Sequence, residues 1–257
     1  MSVALVTGAG KRIGRAIALS LAGRGYDVAI HYQSSADEAE ATAEEARAMG
    51  VVARTFQADL LDVAATRALI PDIAAAMGQL SVLVNNASIF EYDNLASATP
   101  ESWERHIGSN LRAPFWLIQA FAEQAPKADR SGTEPVAQSM IVNMLDQRVL
   151  KPTPEFMTYS LAKAGLWALT RTSAQALAPD IRVNGIGPGP TVQGIRQSDE
   201  HFAGQRAATI LERGADAGDV TAALSYLLEA KAVTGQLICV DGGQHLGWRT
   251  PDIRGIS

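Results

Sequence analysis

Apolar positions along this chain follow two rhythms. Short runs rich in β-branched residues occur at Val3–Val6, Val28–Tyr32, Val52–Gln57, Val82–Asn85, Met140–Met144, Ile181–Ile186 and Leu237–Val240. Helix-like spacing covers Gly14–Arg24, Ala36–Met49 and Val63–Met77, and longer helical patterns span Ser102–Gln124 and Phe156–Leu177. A β-α-β alternation of this kind predicts an α/β fold, a doubly wound parallel sheet of about seven strands with helices on both faces. The strands read as nearly unbroken apolar runs, as strands covered on both sides do. Two loops stand out. Ala125–Gln138 is rich in Pro, Gly and charge and is expected to be exposed. Pro188–Gly204, containing Gly189, Pro190 and Gly194, follows a strand. Ligands of such sheets sit at the carboxyl ends of the strands, so this loop is placed to act as a lid.

The bulk numbers narrow the class without changing that picture. A chain of 257 residues with 47% hydrophobic and 19% charged residues fits a compact globular protein, read as one domain over 1–257. The net charge of −5 offers no overall basic surface for nucleic acid. Cys239 is the only cysteine, so no internal disulfide can form, which fits a reducing compartment. The opening run Met1–Thr7 lacks the charged flank and the length of a signal peptide. No apolar stretch reaches the ~20 residues of a membrane span, and a cytoplasmic location is expected.

Candidate chemistry begins where the first strand ends. Thr7-Gly8-Ala9-Gly10-Lys11-Arg12-Ile13-Gly14 is a glycine-rich turn leading into a helix. Such a turn lets backbone N–H groups approach a pyrophosphate, and the helix dipole favours the anion. An ordinary tight turn between strand and helix would read similarly. The second strand ends in Ala29-Ile30-His31-Tyr32-Gln33-Ser34-Ser35, with no carboxylate before Asp37. An acid at this point would select the free ribose 2′-OH of NAD. Its absence, with Lys11, Arg12 and His31 as candidate cations, favours NADPH over NADH. Solvated surface charge is the plain alternative for Lys11 and Arg12. After the third strand, Ala58-Asp59-Leu60 places an acid that could accept from the adenine amino group or cap the helix starting near Asp62.

Tyr159 and Lys163 lie four residues apart and share a helical face. An ammonium beside a phenol is expected to lower its pKa from about 10, toward the range of a general acid. Taken with Thr7-Gly8…Gly14, Asn85-Asn86-Ala87, Asn110, Pro188-Gly189 and Asp241-Gly242-Gly243, the pair resembles the short-chain dehydrogenase/reductase family over nearly the whole chain. That resemblance implies a Rossmann-type fold, usually as a homotetramer. It also implies that Lys163 holds the nicotinamide ribose and that Asn110 supports a proton relay. Gly8, Ile13, Leu60, Asn86, Ala87, Ser88, Tyr159, Pro188 and Gly189 join the cofactor site on the same ground.

Three departures narrow the substrate. The position thirteen before the tyrosine, usually a serine that polarises a carbonyl, is Asp146. A carboxylate cannot donate to a carbonyl unless protonated, so the change disfavours a simple ketone and favours a nitrogen-rich substrate. Arg12 replaces the middle glycine of the turn and can neutralise phosphate or bond a planar ligand in a bidentate manner. Ser88 replaces the glycine after Asn85-Asn86-Ala87, adding a hydroxyl at the pocket floor. Phe90, two residues on, can stack on a flat heterocycle or simply pack in the core. Together these features resemble the pteridine reductase branch, which includes related dihydromonapterin and dihydrofolate reductases. In that branch the pterin lies between a phenylalanine and the nicotinamide. The resemblance gives Tyr159 the role of protonating a ring nitrogen and Asp146 that of acting through water or orienting the ring. It places Arg12, Ser88, Phe90, Asp146 and Tyr159 at the substrate. His31-Tyr32 also resembles the branch's 2′-phosphate site, with Gln33 where some members carry arginine. A carbonyl reductase and a non-catalytic NADP-binding sensor are the alternatives.

Trp103, Trp116 and Trp167 fall on helical patterns and are expected in packing or a subunit interface. The tail His245–Ser257, with Trp248 and Arg249, is expected either to reach a neighbouring subunit's pocket or to be a loose terminus.

Overall fold

A computed structural model describes residues 2–193 and 198–248. Seven parallel strands form one sheet in the order β3-β2-β1-β4-β5-β6-β7. They are β1 (Val3–Val6), β2 (Asp27–Tyr32), β3 (Ala53–Gln57), β4 (Leu80–Asn85), β5 (Ser139–Met144), β6 (Ile181–Pro188) and β7 (Leu237–Val240). The helices are α1 (Arg12–Ala22), α2 (Ala36–Ala48), α3 (Val63–Met77), α4 (Pro100–Ile107), α5 (Ala113–Gln124), α6 (Met157–Leu177), α7 (Asp199–Ala207) and α8 (Ala217–Glu229). The expected doubly wound, Rossmann-type sheet is present. No described helix is long and apolar enough to cross a membrane.

Alternation along each strand divides the core in two. Ala4 and Val6 of β1 join Val82, Val84, Met140 and Val142 against Ile17 and Leu21 of α1 and Leu224 of α8. Val3 and Leu5 face the other way, toward Leu69 and Ile73 of α3 and Leu117 and Phe121 of α5. Successive side chains of a strand point to opposite faces, so unbroken apolar runs are what a sheet covered on both sides requires.

Strand order reverses where β1 lies between β2 and β4, with Val6 opposite both Ile30 and Val84. This switch point opens a crevice at the strands' carboxyl ends. The pairing Asn85↔Asn143 and Met144↔Ile186 carries β5 and β6 alongside, so the ends of β4, β5 and β6 share that edge.

Two helical expectations need correction. The pattern Ser102–Gln124 is not one α-helix: a π-helical stretch, Gly108–Arg112, separates α4 from α5 and carries Asn110. Such bulges cluster at functional sites because the extra residue re-aims side chains. The Pro188–Gly204 loop is helical from Asp199 onward, where α7 starts behind a Ser198 cap. Gly194 lies outside the described residues, as do Arg249 and the tail beyond it. Helix α8, whose Asp216 and Asp219 form a capping box, was not anticipated from the sequence.

Candidate active site

The cofactor groove starts at the end of β1. The Thr7 hydroxyl oxygen accepts from the amides of Asn86 and Ala87, each at 2.9 Å. The Asn86 side chain donates back to the carbonyls of Thr7 (2.8 Å) and Gly8 (3.1 Å). The two segments therefore form one rigid block. Gly14 is required by packing: a Cβ there would lie 2.2 Å from the Gly8 carbonyl oxygen and 2.5 Å from Asn86 Nδ2. Arg12 holds a left-handed backbone, φ 53°, which costs a non-glycine residue about 1 kcal/mol or more.

Beside this turn is a cavity of about 370 Å³. Gly8, Lys11, Arg12, Ile13, His31, Tyr32, Gln33, Ser34, Asp59, Leu60, Asn86, Ala87 and Ser88 all line it. The first turn of α1 has no side-chain cap and no acid, so its N–H groups face the cavity as an anion site. Asp59 is the one carboxylate among the lining residues. Its Oδ1 accepts from the Leu61 amide at 2.9 Å, while Asp62 caps α3 through the amides of Ala64 and Ala65. An uncapped helix start, a neutral β2 terminus and a long groove fit a phosphorylated dinucleotide.

The three expected cations stand differently at this groove. His31 is a correction. It is 1% exposed, its Nδ1 accepts from the Gly8 amide at 3.1 Å, and its Nε2 meets the Ala58 carbonyl at 3.1 Å. This pattern needs a neutral ring protonated on Nε2, and burial pushes the pKa down to about 4. His31 therefore ties the phosphate turn to β3 as an uncharged tether. Lys11 is paired with Glu38 on the surface. Arg12 donates from Nη2 to the Val192 carbonyl at 2.8 Å, joining the turn to the segment after β6.

The reaction end lies on β4, β5 and α6. Helix α6 buries Tyr159 (5% exposed) and Lys163 (2% exposed) on the face turned to the sheet. The Tyr159 hydroxyl donates to Asp146 Oδ2 at 2.9 Å. The Lys163 ammonium donates to the Met144 carbonyl at 2.7 Å and lies 5.6 Å from the centre of the Tyr159 ring. Here the second correction falls. The Tyr159 pKa is raised well above 10, first by burial and then by the Asp146 charge and its hydrogen bond. Both favour the neutral phenol, and Lys163 does not reverse them. Burial instead brings Lys163 itself down to about 8.

Asp146 is held from three sides. Its Oδ1 accepts from the Arg148 amide at 2.8 Å, and Oδ2 accepts from Arg148 Nη1 at 3.2 Å as well as from Tyr159. Arg148 was not anticipated as a site residue. Its guanidinium carbon lies 5.5 Å and 5.3 Å from the ring centres of Phe90 and Phe156. Phe156, also missed, stacks on Phe90 with centres 4.3 Å apart and planes 10° apart. Phe90 is half exposed, not core, and meets Tyr159 edge-on at 4.7 Å. The usable sequence signals were adjacency to Asp146 and an aromatic residue one helical turn before Tyr159.

Asn110 grips one residue: Oδ1 accepts from the Ile89 amide at 2.9 Å and Nδ2 donates to the Ile89 carbonyl at 2.8 Å. It thereby fixes the segment between Ser88 and Phe90. Pro188 ends β6 at the same edge and Gly189 follows it, where a Cβ on Gly189 would lie 2.7 Å from the Asp241 Cβ. Among the described residues, neither they nor Tyr159 and Lys163 line the 370 Å³ cavity; the two regions are adjoining parts of one crevice.

Of the tryptophans, Trp103 is exposed, whereas Trp116 and Trp167 are partly buried beside Arg67 and Arg171. None touches the groups described above.

Comparison with known proteins agrees with this fold. The sequence matches the enoyl-(acyl carrier protein) reductase family over residues 8–245. It is 36% identical over 248 residues to a 3-oxoacyl-(acyl-carrier-protein) reductase of Staphylococcus aureus, covering 95% of this chain and 98% of that one. It is 35% identical to pteridine reductase 1 of Leishmania tarentolae, with coverage of 95% and 96%. The crystal structure of FolM alternative dihydrofolate reductase 1 from Brucella canis, complexed with NADP, superposes with a TM-score of 0.91 at 41% identity. That match covers 98% of this chain and 97% of the other.

Proposed function

The chain belongs to the short-chain dehydrogenase/reductase family, and from that premise we propose that it is an NADPH-dependent reductase of a pterin ring, taking dihydropterins and dihydrofolate. The observation that carries the reading is the Asp146 carboxylate at 2.9 Å from the Tyr159 hydroxyl. A ketone substrate needs a second hydrogen-bond donor at that position, and an ionised carboxylate bound by Arg148 can only accept. A ring bearing N–H groups meets that requirement. The similarity to pteridine reductase 1 and to the NADP-complexed FolM protein supports the same choice.

Bound in the groove, the cofactor supplies a hydride. The chain supplies the rest. The uncapped start of α1 receives the pyrophosphate, and Tyr32, Gln33 and Ser34 line the ribose end without an acid. Asn110 fixes the Ser88–Phe90 segment, so the Phe90 ring forms one wall for a flat substrate. Tyr159 holds the transferable proton on its hydroxyl. With its pKa raised, the phenol stays protonated and gives up the proton only to a strongly basic nitrogen. Asp146 accepts from substrate N–H groups and, once Tyr159 has turned to the substrate, keeps its contact with Arg148. Lys163, largely protonated at neutral pH, places a buried positive charge beneath the phenol.

The same reading takes residues 1–257 as one domain and the assembly as a homotetramer, supported by the exposed apolar side chains of Trp103, Phe115 and Leu161. The test is a turnover panel of biopterin, dihydrobiopterin, dihydromonapterin, dihydrofolate and ketones, each with NADPH and NADH. Turnover of a dihydropterin or dihydrofolate with NADPH is expected. Reduction of ketones alone would overturn the substrate assignment.

A further inference from the structure

A second polar cluster lies behind the phenol, in residues to which the reading above gives no role. Helix α6 begins abnormally. Its N-cap residue, Phe156, has a left-handed backbone (φ 56°) and offers no side-chain cap. The first N–H groups of a helix have no partner within the helix, and here the start is buried, so acceptors must come from elsewhere. They come from Asp93, on the segment after Phe90. The Asp93 carbonyl accepts from the Met157 amide at 3.2 Å, and its Oδ1 accepts from the Thr158 amide at 3.1 Å.

The carboxylate is held in turn. Its Oδ2 accepts from the hydroxyl of Thr158 and from that of Ser102 at 3.0 Å. His106 of α4 completes the cluster. Its Nε2 accepts from the Glu91 amide at 3.1 Å, so its proton sits on Nδ1, which donates to Thr158 Oγ1 at 2.7 Å. Asp93, His106 and Thr158 are 2%, 0% and 3% exposed. A buried network with every group satisfied is stiff, and removal of one member leaves the others without partners. Burial lowers the His106 pKa, in keeping with a neutral ring. Burial would raise the Asp93 pKa, but its three hydrogen bonds outweigh that and lower it, in keeping with a carboxylate at a helix start.

We propose that Asp93, Thr158 and His106 are positioning residues for the reaction: a cap supplied from outside α6 that locks the Phe90 segment to the helix start and so sets the gap between the Phe90 ring and the Tyr159 hydroxyl. Three elements meet in it. Glu91 and Asp93 belong to the strand-end segment that carries Phe90. Ser102 and His106 belong to α4. Met157 and Thr158 directly precede Tyr159. Loss of the cap frees the helix start to shift relative to the Phe90 wall, and a displacement of ~1 Å of a reacting group can cost about a hundredfold in rate. None of the three lines the 370 Å³ cavity, and His106 meets the Tyr159 ring edge-on with centres 6.1 Å apart, so cofactor binding is expected to be left alone. The inference rests on Tyr159 as the proton donor, and not on which substrate is reduced.

The test uses three variants and two kinds of readout, kinetic and structural. Thr158→Val removes the hydroxyl at nearly constant volume, and Thr158→Ser restores it; Asp93→Asn keeps the shape and removes the charge. With a substrate that the wild type reduces, kcat is expected to fall about tenfold or more in Thr158→Val and in Asp93→Asn. The NADPH dissociation constant is expected to stay within about twofold, and Thr158→Ser to recover most of the rate. A cluster that serves stability alone would lower Tm while leaving kcat of the folded enzyme unchanged, and that result overturns the proposal. Crystal structures of the same variants read positioning without any substrate. Displacement of the Tyr159 hydroxyl from Asp146, relative to 2.9 Å, supports it. An unmoved hydroxyl in both Thr158→Val and Asp93→Asn overturns it, whatever the turnover panel has shown.

Discussion

The two ends of the crevice hold charge in opposite ways. The nucleotide end offers the uncapped start of α1 and few side-chain charges turned to the groove. Lys11 is on the surface with Glu38, Arg12 is bonded to a carbonyl, and His31 is buried and uncharged. At the reaction end, a carboxylate, an ammonium, a guanidinium and a phenol lie within one partly closed cluster, and the pKa values of the phenol and the ammonium are displaced by burial. The difference follows from the tasks. An anion that must bind and leave is served by preformed N–H groups, whose dipoles cost no charge desolvation. A proton that must move at the moment of reaction needs titratable groups taken out of water.

If the two ends are separable, the largest effect comes from the single proton-bearing atom. Tyr159→Phe is expected to lower kcat by about a hundredfold to ten-thousandfold, the range for loss of a general acid. The NADPH dissociation constant, measured by fluorescence titration, is expected to change by less than about twofold. Parallel loss of cofactor binding would break the comparison, because the phenol would then also be holding the nucleotide.

A middle-sized effect separates a neutral tether from a cation at His31. The folded-state pKa is about 4, below the ordinary value of 6.5. Between those values the unfolded chain binds more protons than the folded one. The stability tied to the neutral ring is therefore complete above about pH 6.5 and is lost as pH falls toward 4. The loss is about 3 kcal/mol over that window. Urea titrations at a series of pH values, compared with His31→Gln, check it: the variant is expected to have a flatter acid limb. Its preference for NADPH over NADH is expected to be unchanged. A preference that collapses on substitution would return His31 to the role of a phosphate-binding cation.

What could be read in advance follows the same division. The sheet was legible because burial on both faces leaves unbroken apolar runs, and the phosphate turn because Gly14 has no room for a Cβ. Tyr159, Lys163 and Asp146 could be named from spacing and type. Their electrostatics could not. Spacing puts Lys163 on the phenol's face of the helix, but only the fold shows its ammonium on the Met144 carbonyl and the phenol on Asp146. His31 looked cationic because sequence shows residue type and not burial. Phe156 and Arg148 were missed because their importance lies in contacts across the crevice with the Phe90 ring. The break in the Ser102–Gln124 helix was invisible because a π-helical insertion leaves the hydrophobic pattern on either side almost intact.

The smallest expected effect probes a surface cation at the nucleotide end, Lys11, that a 2′-phosphate could recruit. Lys11 and Glu38 are each about half exposed, and an exposed pair of this kind contributes little to stability. Lys11 can therefore exchange its carboxylate partner for a phosphate at little net gain. Lys11→Ala is expected to weaken NADPH binding by about two- to threefold and to leave NADH binding unchanged. Glu38→Gln removes the competing acid as well as its repulsion of the phosphate, so it is expected to strengthen NADPH binding by a similar factor. Both changes should shrink at high salt, where exposed charges are screened. Paired titrations with NADPH and NADH at low and high ionic strength measure all of these. A salt-independent loss of tenfold or more in Lys11→Ala would mean that the nucleotide end also relies on a desolvated ion pair, and the contrast between the two ends would disappear.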